Sequence, residues 1–138
     1  MKIAVLGAGN MGISFSRSFL KYELLKPQNL HLITRNENKK SKLKDAFPDS
    51  EISTFDEIKK LDADLIIIAV KPQDFTFVAE HLPFNFSEKS LVLSIMAGIS
   101  IEKIQKLLNH KFVVRAMPNS PTLLGMGITG YTAADGIS

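Results

Sequence analysis

The sequence predicts an α/β fold: a doubly wound, mostly parallel sheet with helices on both faces. Three observations carry that prediction. The short apolar run Lys2-Ile3-Ala4-Val5-Leu6 leads straight into Gly7-Ala8-Gly9-Asn10-Met11-Gly12 and then into a segment of helical period. Leu65-Ile66-Ile67-Ile68-Ala69-Val70 is continuously apolar, as a strand covered on both faces must be. Between and beyond these, strand-like runs alternate with longer helix-like runs, the pattern of βαβ crossovers in one parallel sheet.

The glycine segment is the most informative stretch. A buried strand that turns sharply into a helix needs Gly7 for the tight turn and Gly12 so that the helix can pack close to the strand, while Gly9 lets backbone approach a pyrophosphate. The free N–H groups of the new helix then face an anion, helped by the helix dipole. Met11, Phe15, Phe19 and Tyr22 follow at three- and four-residue spacing and give the helix one apolar stripe for the sheet. Strand, turn and helix in this order define a Rossmann-type, dinucleotide-binding domain, expected to occupy residues 1–138.

Size and composition agree. A chain of 138 residues with 45% hydrophobic and 22% charged residues suits one globular core and not two full-sized domains. The net charge of +3 mildly favours anionic ligands but does not argue for nucleic acid or a membrane surface. Cysteine is absent, which excludes disulfides, thiolate catalysis and Cys-ligated metals. The N-terminal apolar run is too short for a signal peptide, and no stretch approaches membrane-spanning length. A cytoplasmic location is the expectation. No His/Asp/Glu cluster has metal-ligand spacing, so no metal is expected.

Along the chain, Lys26-Pro27-Gln28-Asn29 breaks the first helix and Leu30-His31-Leu32-Ile33-Thr34 reads as the second strand. An NAD-preferring fold places a carboxylate at that strand's end, to hold the ribose hydroxyls. Here stand Thr34-Arg35-Asn36, whose Arg can pair with a 2′-phosphate through its planar fork of donors. NADP(H) is therefore the preferred cofactor, with NAD(H) left open. Asn36 caps a helix running to Phe47, whose lysines at 39, 40, 42 and 44 read as a solvated face near the cofactor phosphate. Ile52-Ser53-Thr54 is expected to be a short strand, and Thr54-Phe55-Asp56-Glu57 fits a capping box for a small helix ending near Leu61.

The strand at 65–70 stops at Lys71-Pro72-Gln73, a loop that belongs beside the cofactor because loops at carboxyl strand ends line the crevice of such sheets. Next come a helix with Phe75, Val78, Ala79 and Leu82 on one face, and a strand at 91–95 ending in Met96-Ala97-Gly98. The small residues there leave room for a nicotinamide ring. Ser100 caps a helix with Ile101, Ile104, Leu107 and Leu108 inward; Phe112–Ala116 is a strand, and Gly125–Thr132 reads as a Gly-rich edge strand. His31, His81 and His110 are scattered along the chain and suit packing or surface roles.

Several segments together resemble pyrroline-5-carboxylate reductases. They are Gly7-Ala8-Gly9-Asn10-Met11-Gly12, Ala69-Val70-Lys71-Pro72-Gln73, Ser94-Ile95-Met96-Ala97-Gly98-Ile99, and Val114 through Pro121 with Met117-Pro118-Asn119 at its centre. The resemblance implies hydride transfer from NADPH to the C=N bond of 1-pyrroline-5-carboxylate, giving L-proline. It implies that the glycine loop holds the pyrophosphate, that Thr34, Arg35 and Asn36 hold the adenosine phosphate, and that Ala69, Val70, Lys71, Pro72, Ala97 and Gly98 flank ribose and nicotinamide, with Asn119 at the same end. Met96 stands where that family often has a smaller residue and, if inward, tightens the nicotinamide pocket.

The family continues into a helical domain that builds a homo-oligomer and, across it, the substrate pocket. This sequence ends before that domain, so the catalytic residues proper are expected outside these residues and the piece alone is expected to be inactive. A hydroxyacid-dehydrogenase-like cofactor domain and a non-catalytic NADP(H)-sensing module are the alternatives.

Overall fold

The computed structural model describes residues 1–7, 9–82, 85–116 and the strand at 131–133. The first strand β1 (Ile3–Leu6) is buried along its whole length, and its alternate side chains feed two cores. Ala4 and Leu6 join Ile66, Ile68, Phe75, Val78 and Ile104 on one face of the sheet. Ile3 and Val5 join Leu32, Ile67, Leu43 and Phe47 on the other, beneath Phe15 and Phe19. An apolar run with no polar alternation is what such two-sided burial requires.

Around β1 the elements follow in chain order. They are α1 (Asn10–Lys21), β2 (Leu30–Thr34), α2 (Glu37–Ala46), β3 (Glu51–Thr54), β4 (Lys60–Leu61), β5 (Leu65–Ile68), α3 (Pro72–Glu80), β6 (Asn85–Phe86), β7 (Leu91–Ser94), α4 (Ile101–Leu108), β8 (Val113–Ala116) and β9 (Tyr131–Ala133). The main sheet has the order β3-β2-β1-β5-β7-β8-β9. All its pairings are parallel except β8 with β9, so the expected mostly parallel sheet carries an antiparallel edge. The chain runs outward from β1 to β3, then crosses to β5 on β1's other side. That reversal opens a crevice beyond the carboxyl ends of β1 and β5. Register keeps the rim level: Leu6 pairs with Ile33 and Ile68, and Ile68 pairs with Ser94.

Local signals decide where helices start. Asn36 Oδ1 accepts from the Asn38 and Lys39 amides at 2.8 and 3.3 Å, and Ser100 Oγ accepts from the Lys103 amide at 3.1 Å, as the sequence predicts for α2 and α4. The capping box at Thr54 also forms, but it opens only a 3-10 turn over Phe55–Glu57 instead of a helix reaching Leu61. Ile58 is already extended, and burying both Ile58 and Leu61 in the core draws the chain into β4. β4 pairs in parallel with β6, a two-residue strand too short to show any periodicity in sequence. Two further expectations are corrected. Tyr22 lies beyond the end of α1 and is 51% exposed, so the stripe toward the sheet ends at Phe19. The strand expected at 65–70 ends at Ile68, because its neighbour β1 turns away at Gly7; Ala69 and Val70 become crevice wall. Of the expected Gly-rich edge strand, residues 125–130 lie outside the described residues.

Among the described residues no helix is long and apolar enough to cross a membrane, and no group of three metal-ligating side chains gathers. His31 and His110 pack inside, while His81 is exposed beside Phe77. His110 Nε2 lies 2.6 Å from the Ser90 carbonyl, and His31 Nε2 lies 2.8 Å from Ser53 Oγ. Burial pushes the His31 imidazole below its usual pKa, against the opposing pull of Glu51 and Glu57. A depressed folded value means that the unfolded chain takes up the proton first. Stability from this group is therefore full above the ordinary value of 6.5 and declines as pH falls through it toward the lower folded value. His31→Gln is expected to flatten the stability slope in that window, measured by urea unfolding at stepped pH; an unchanged slope refutes the assignment.

Candidate functional site

The crevice is built on the turn between β1 and α1. Gly7 donates its amide to the Ile33 carbonyl at 2.9 Å and has φ +92°, a conformation that L side chains rarely adopt. A Cβ there would lie 2.8 Å from Val70 Cγ1 and 2.9 Å from the Val70 amide nitrogen. At Gly12 it would lie 2.6 Å from the Gly7 carbonyl oxygen, so that glycine is what lets α1 sit against β1. Gly9 differs. A Cβ there would meet only the Ala69 carbonyl oxygen, at 3.9 Å, because this stretch of backbone faces the open crevice. Gly9 is also the N-cap of α1, whose first turn has no side-chain cap and no acidic residue. Unpartnered N–H groups and the positive end of the helix dipole therefore point at the same space.

Two cavities share the walls Gly9, Ala69, Val70 and Lys71. The first, about 280 Å³, extends over the end of β2 and is lined there by Thr34, Arg35, Asn36 and Lys39, with Asp74 and Val78 of α3 opposite and Phe55 at its side. The second, about 340 Å³, extends over β5 and β7 and is lined by Asn10, Met11, Pro72, Ile95, Met96 and Ala97. The first is the more polar of the two and cationic, with Arg35, Lys39 and Lys71 around a single carboxylate, Asp74, among its described lining residues. The second is mainly apolar.

Most residues singled out from the sequence converge on these walls. Four do not. Gly12 is buried and lines neither cavity, acting through helix packing; Gly98, at φ +75°, lines neither. Ala8 and Asn119 lie outside the described residues. Asn36 lines the first cavity while its Oδ1 is engaged in capping α2. Met96 is 2% exposed, packs in the core cluster with Ile104 and Val113, and is among the residues that line the second cavity.

Sequence reading missed Phe55, Asp74, Val78 and Ile95 as wall residues, and placed Lys39 near the phosphate only as part of a solvated face. Asp74 and Val78 share a helix face at i, i+4 spacing, a signal masked because Val78 also belongs to the core stripe. Next to Lys39, the Lys40 ammonium is paired with Glu57, and that hydrogen bond raises the lysine pKa and lowers the carboxyl. The pair ties α2 to the turn that carries Phe55. Among the described residues neither cavity is lined by a histidine, serine or glutamate. The arrangement suits binding and orienting an anion.

A doubly wound sheet whose order reverses beside a bare glycine turn, with a cationic rim on one side and an apolar pocket on the other, defines a Rossmann-class domain. The chain belongs to the family described as NADP oxidoreductase, coenzyme F420-dependent, whose family model matches residues 2–98. It is 31% identical over 132 residues to the pyrroline-5-carboxylate reductase of Escherichia coli, covering 95% of this chain and 49% of that protein. Among solved structures, a pyrroline-5-carboxylate reductase from Coxiella burnetii is similar, with TM-score 0.77 and 26% identity over 99% of this chain and 51% of that one. The Plasmodium falciparum pyrroline carboxylate reductase, solved with NADP bound, matches at TM-score 0.73 and 22% identity over 100% of this chain and 50% of its own. The chain thus spans about half the length of the relatives it matches. Those relatives carry the family name that the motifs had suggested.

Proposed function

We propose that this chain is the cofactor-binding half of a pyrroline-5-carboxylate reductase, holding NADP(H) in preference to NAD(H) for reduction of the C=N bond of 1-pyrroline-5-carboxylate to L-proline. The observation that carries the reading is Gly9, where bare backbone faces open space at an uncapped helix N-terminus. A diphosphate fits that cradle, and a side chain would fill it. The similarity to reductases of that name over nearly the whole chain supplies the reaction class.

In this reading Gly7, Ala8, Gly9, Asn10 and Met11 hold the diphosphate with backbone amides, and Gly12 sets their position by close packing. Thr34, Arg35 and Asn36, with Lys39, take the adenosine phosphate. Ala69, Val70, Lys71 and Pro72, with Ala97 and Asn119, surround ribose and nicotinamide, where the apolar walls exclude water. The bound cofactor supplies the hydride. The chain's own part is orientation: a fixed donor face, with Met96 closing the pocket behind it. The groups that hold the imine and donate its proton are assigned outside these residues, in the remainder of a cytoplasmic homo-oligomer.

The test is NADPH oxidation with 1-pyrroline-5-carboxylate, by the chain alone and by the natural gene product that carries it. We expect the chain to bind NADPH without turnover and the gene product to turn over. Turnover of hydroxy or keto acids in place of the imine by the gene product overturns the substrate assignment, and turnover by the chain alone overturns the placement of its catalytic groups.

A further inference from the structure

Arg35 and Asp74 face one another across the first cavity. Arg35 leaves the end of β2, and Asp74 stands in the first turn of α3. Arg35 Nη2 lies 3.9 Å from Asp74 Oδ2, and the guanidinium carbon lies 6.0 Å from the centre of the Phe77 ring. The side chains are 49% and 40% exposed. At that distance the pair is an ion pair without a hydrogen bond, so it orients the guanidinium without using its donors.

We propose that Asp74 limits the cavity's preference for NADP(H): its carboxylate opposes a phosphomonoester at Arg35, and so keeps the crevice open to the dinucleotide whose adenosine ribose carries a free 2′-hydroxyl. The inference rests on the dinucleotide reading above. An oxyanion in hydrogen-bond reach of Arg35 Nη2 lies within about 7 Å of Asp74 Oδ2, inside the screening length of physiological salt. The like charges repel there, and a 2′-phosphate carries nearly two of them. A ribose hydroxyl suffers no such penalty and can donate to a carboxylate, the role that acidic residues at the end of the second strand play in NAD-preferring folds. Here the acid stands on the opposite wall, on α3, beside an arginine that attracts phosphate. Both preferences are thus written into one cavity, and their balance sets the selectivity.

The test is direct titration of the chain with NADPH and with NADH, followed by nicotinamide fluorescence, for the wild type, Asp74→Asn and Asp74→Glu. Asp74→Asn is expected to tighten NADPH about fivefold and to move NADH by less than about twofold, a gap that narrows as salt is raised. Asp74→Glu, which keeps the charge, is expected to stay near the wild-type ratio. A role in helix stability alone would shift the thermal midpoint and leave the ratio unmoved. If both nucleotides bind and Asp74→Asn leaves their ratio unchanged, or weakens NADPH, the Asp74 assignment falls while the binding site stands. If neither nucleotide binds the wild-type chain, both fall.

Discussion

Gly9→Val is expected to abolish binding of both NADPH and NADH while the chain stays folded. Gly9 has φ −76° and ψ −177°, extended backbone that valine accepts readily. Its Cβ would approach only the Ala69 carbonyl oxygen, at the ordinary contact distance of 3.9 Å. The protein therefore has room for the side chain. The room lies in the crevice, where a diphosphate must come within hydrogen-bond distance of the amides at the start of α1. We expect a loss of at least 100-fold in affinity, or about 2.7 kcal/mol. The thermal midpoint should fall by no more than about 5 °C, since valine is only a poorer N-cap than glycine.

Gly7→Val and Gly12→Val should behave oppositely. Their Cβ positions fall 2.8 Å from Val70 Cγ1 and 2.6 Å from the Gly7 carbonyl oxygen, and Gly7 has a positive φ besides. Those variants should lose the fold itself. Far-UV circular dichroism with cofactor titration separates the two outcomes. Unchanged affinity in Gly9→Val would remove the diphosphate from this turn.

The turn at Gly7 and the close packing at Gly12 were legible from spacing alone, because both follow from the geometry of a strand turning into a helix. So were the caps at Asn36 and Ser100, since an N-cap is a local event between a side chain and amides two or three residues on. What the sequence hid depends on distance across the fold. Asp74 reads as a good first-turn acid of a helix; only the placement of α3 across the crevice from β2 brings it to Arg35. The segment after Thr54 carries a complete capping box, yet forms a single turn, because the core takes both Ile58 and Leu61 in extended chain. Lys39 and Lys40 look alike in sequence. In the fold one lines the cavity and the other is tied to Glu57, a division set by which way α2 is rotated.

Arg35→Glu should separate the two cofactors. In the wild type the guanidinium is the cavity's planar fork of donors, and a phosphate ester is the ligand group such a fork holds best. Charge reversal removes that interaction and places a second carboxylate near Asp74. NADPH is expected to weaken by about 100-fold, which corresponds to about 2.7 kcal/mol, in keeping with the loss of a charge-assisted pair and the added repulsion. NADH should change by less than about threefold, because a glutamate at the end of β2 can accept hydrogen bonds from ribose hydroxyls. Arg35 is half exposed and its partner Asp74 lies 3.9 Å away, so the substitution breaks no tight contact and the fold should persist. Lys39, on the same wall, keeps some attraction for phosphate, which is why the loss is large without being total. Equal losses for NADPH and NADH, measured by titration at one salt concentration, would show that Arg35 serves the whole dinucleotide and not its 2′-phosphate. The discriminating group would then have to be sought at Lys39.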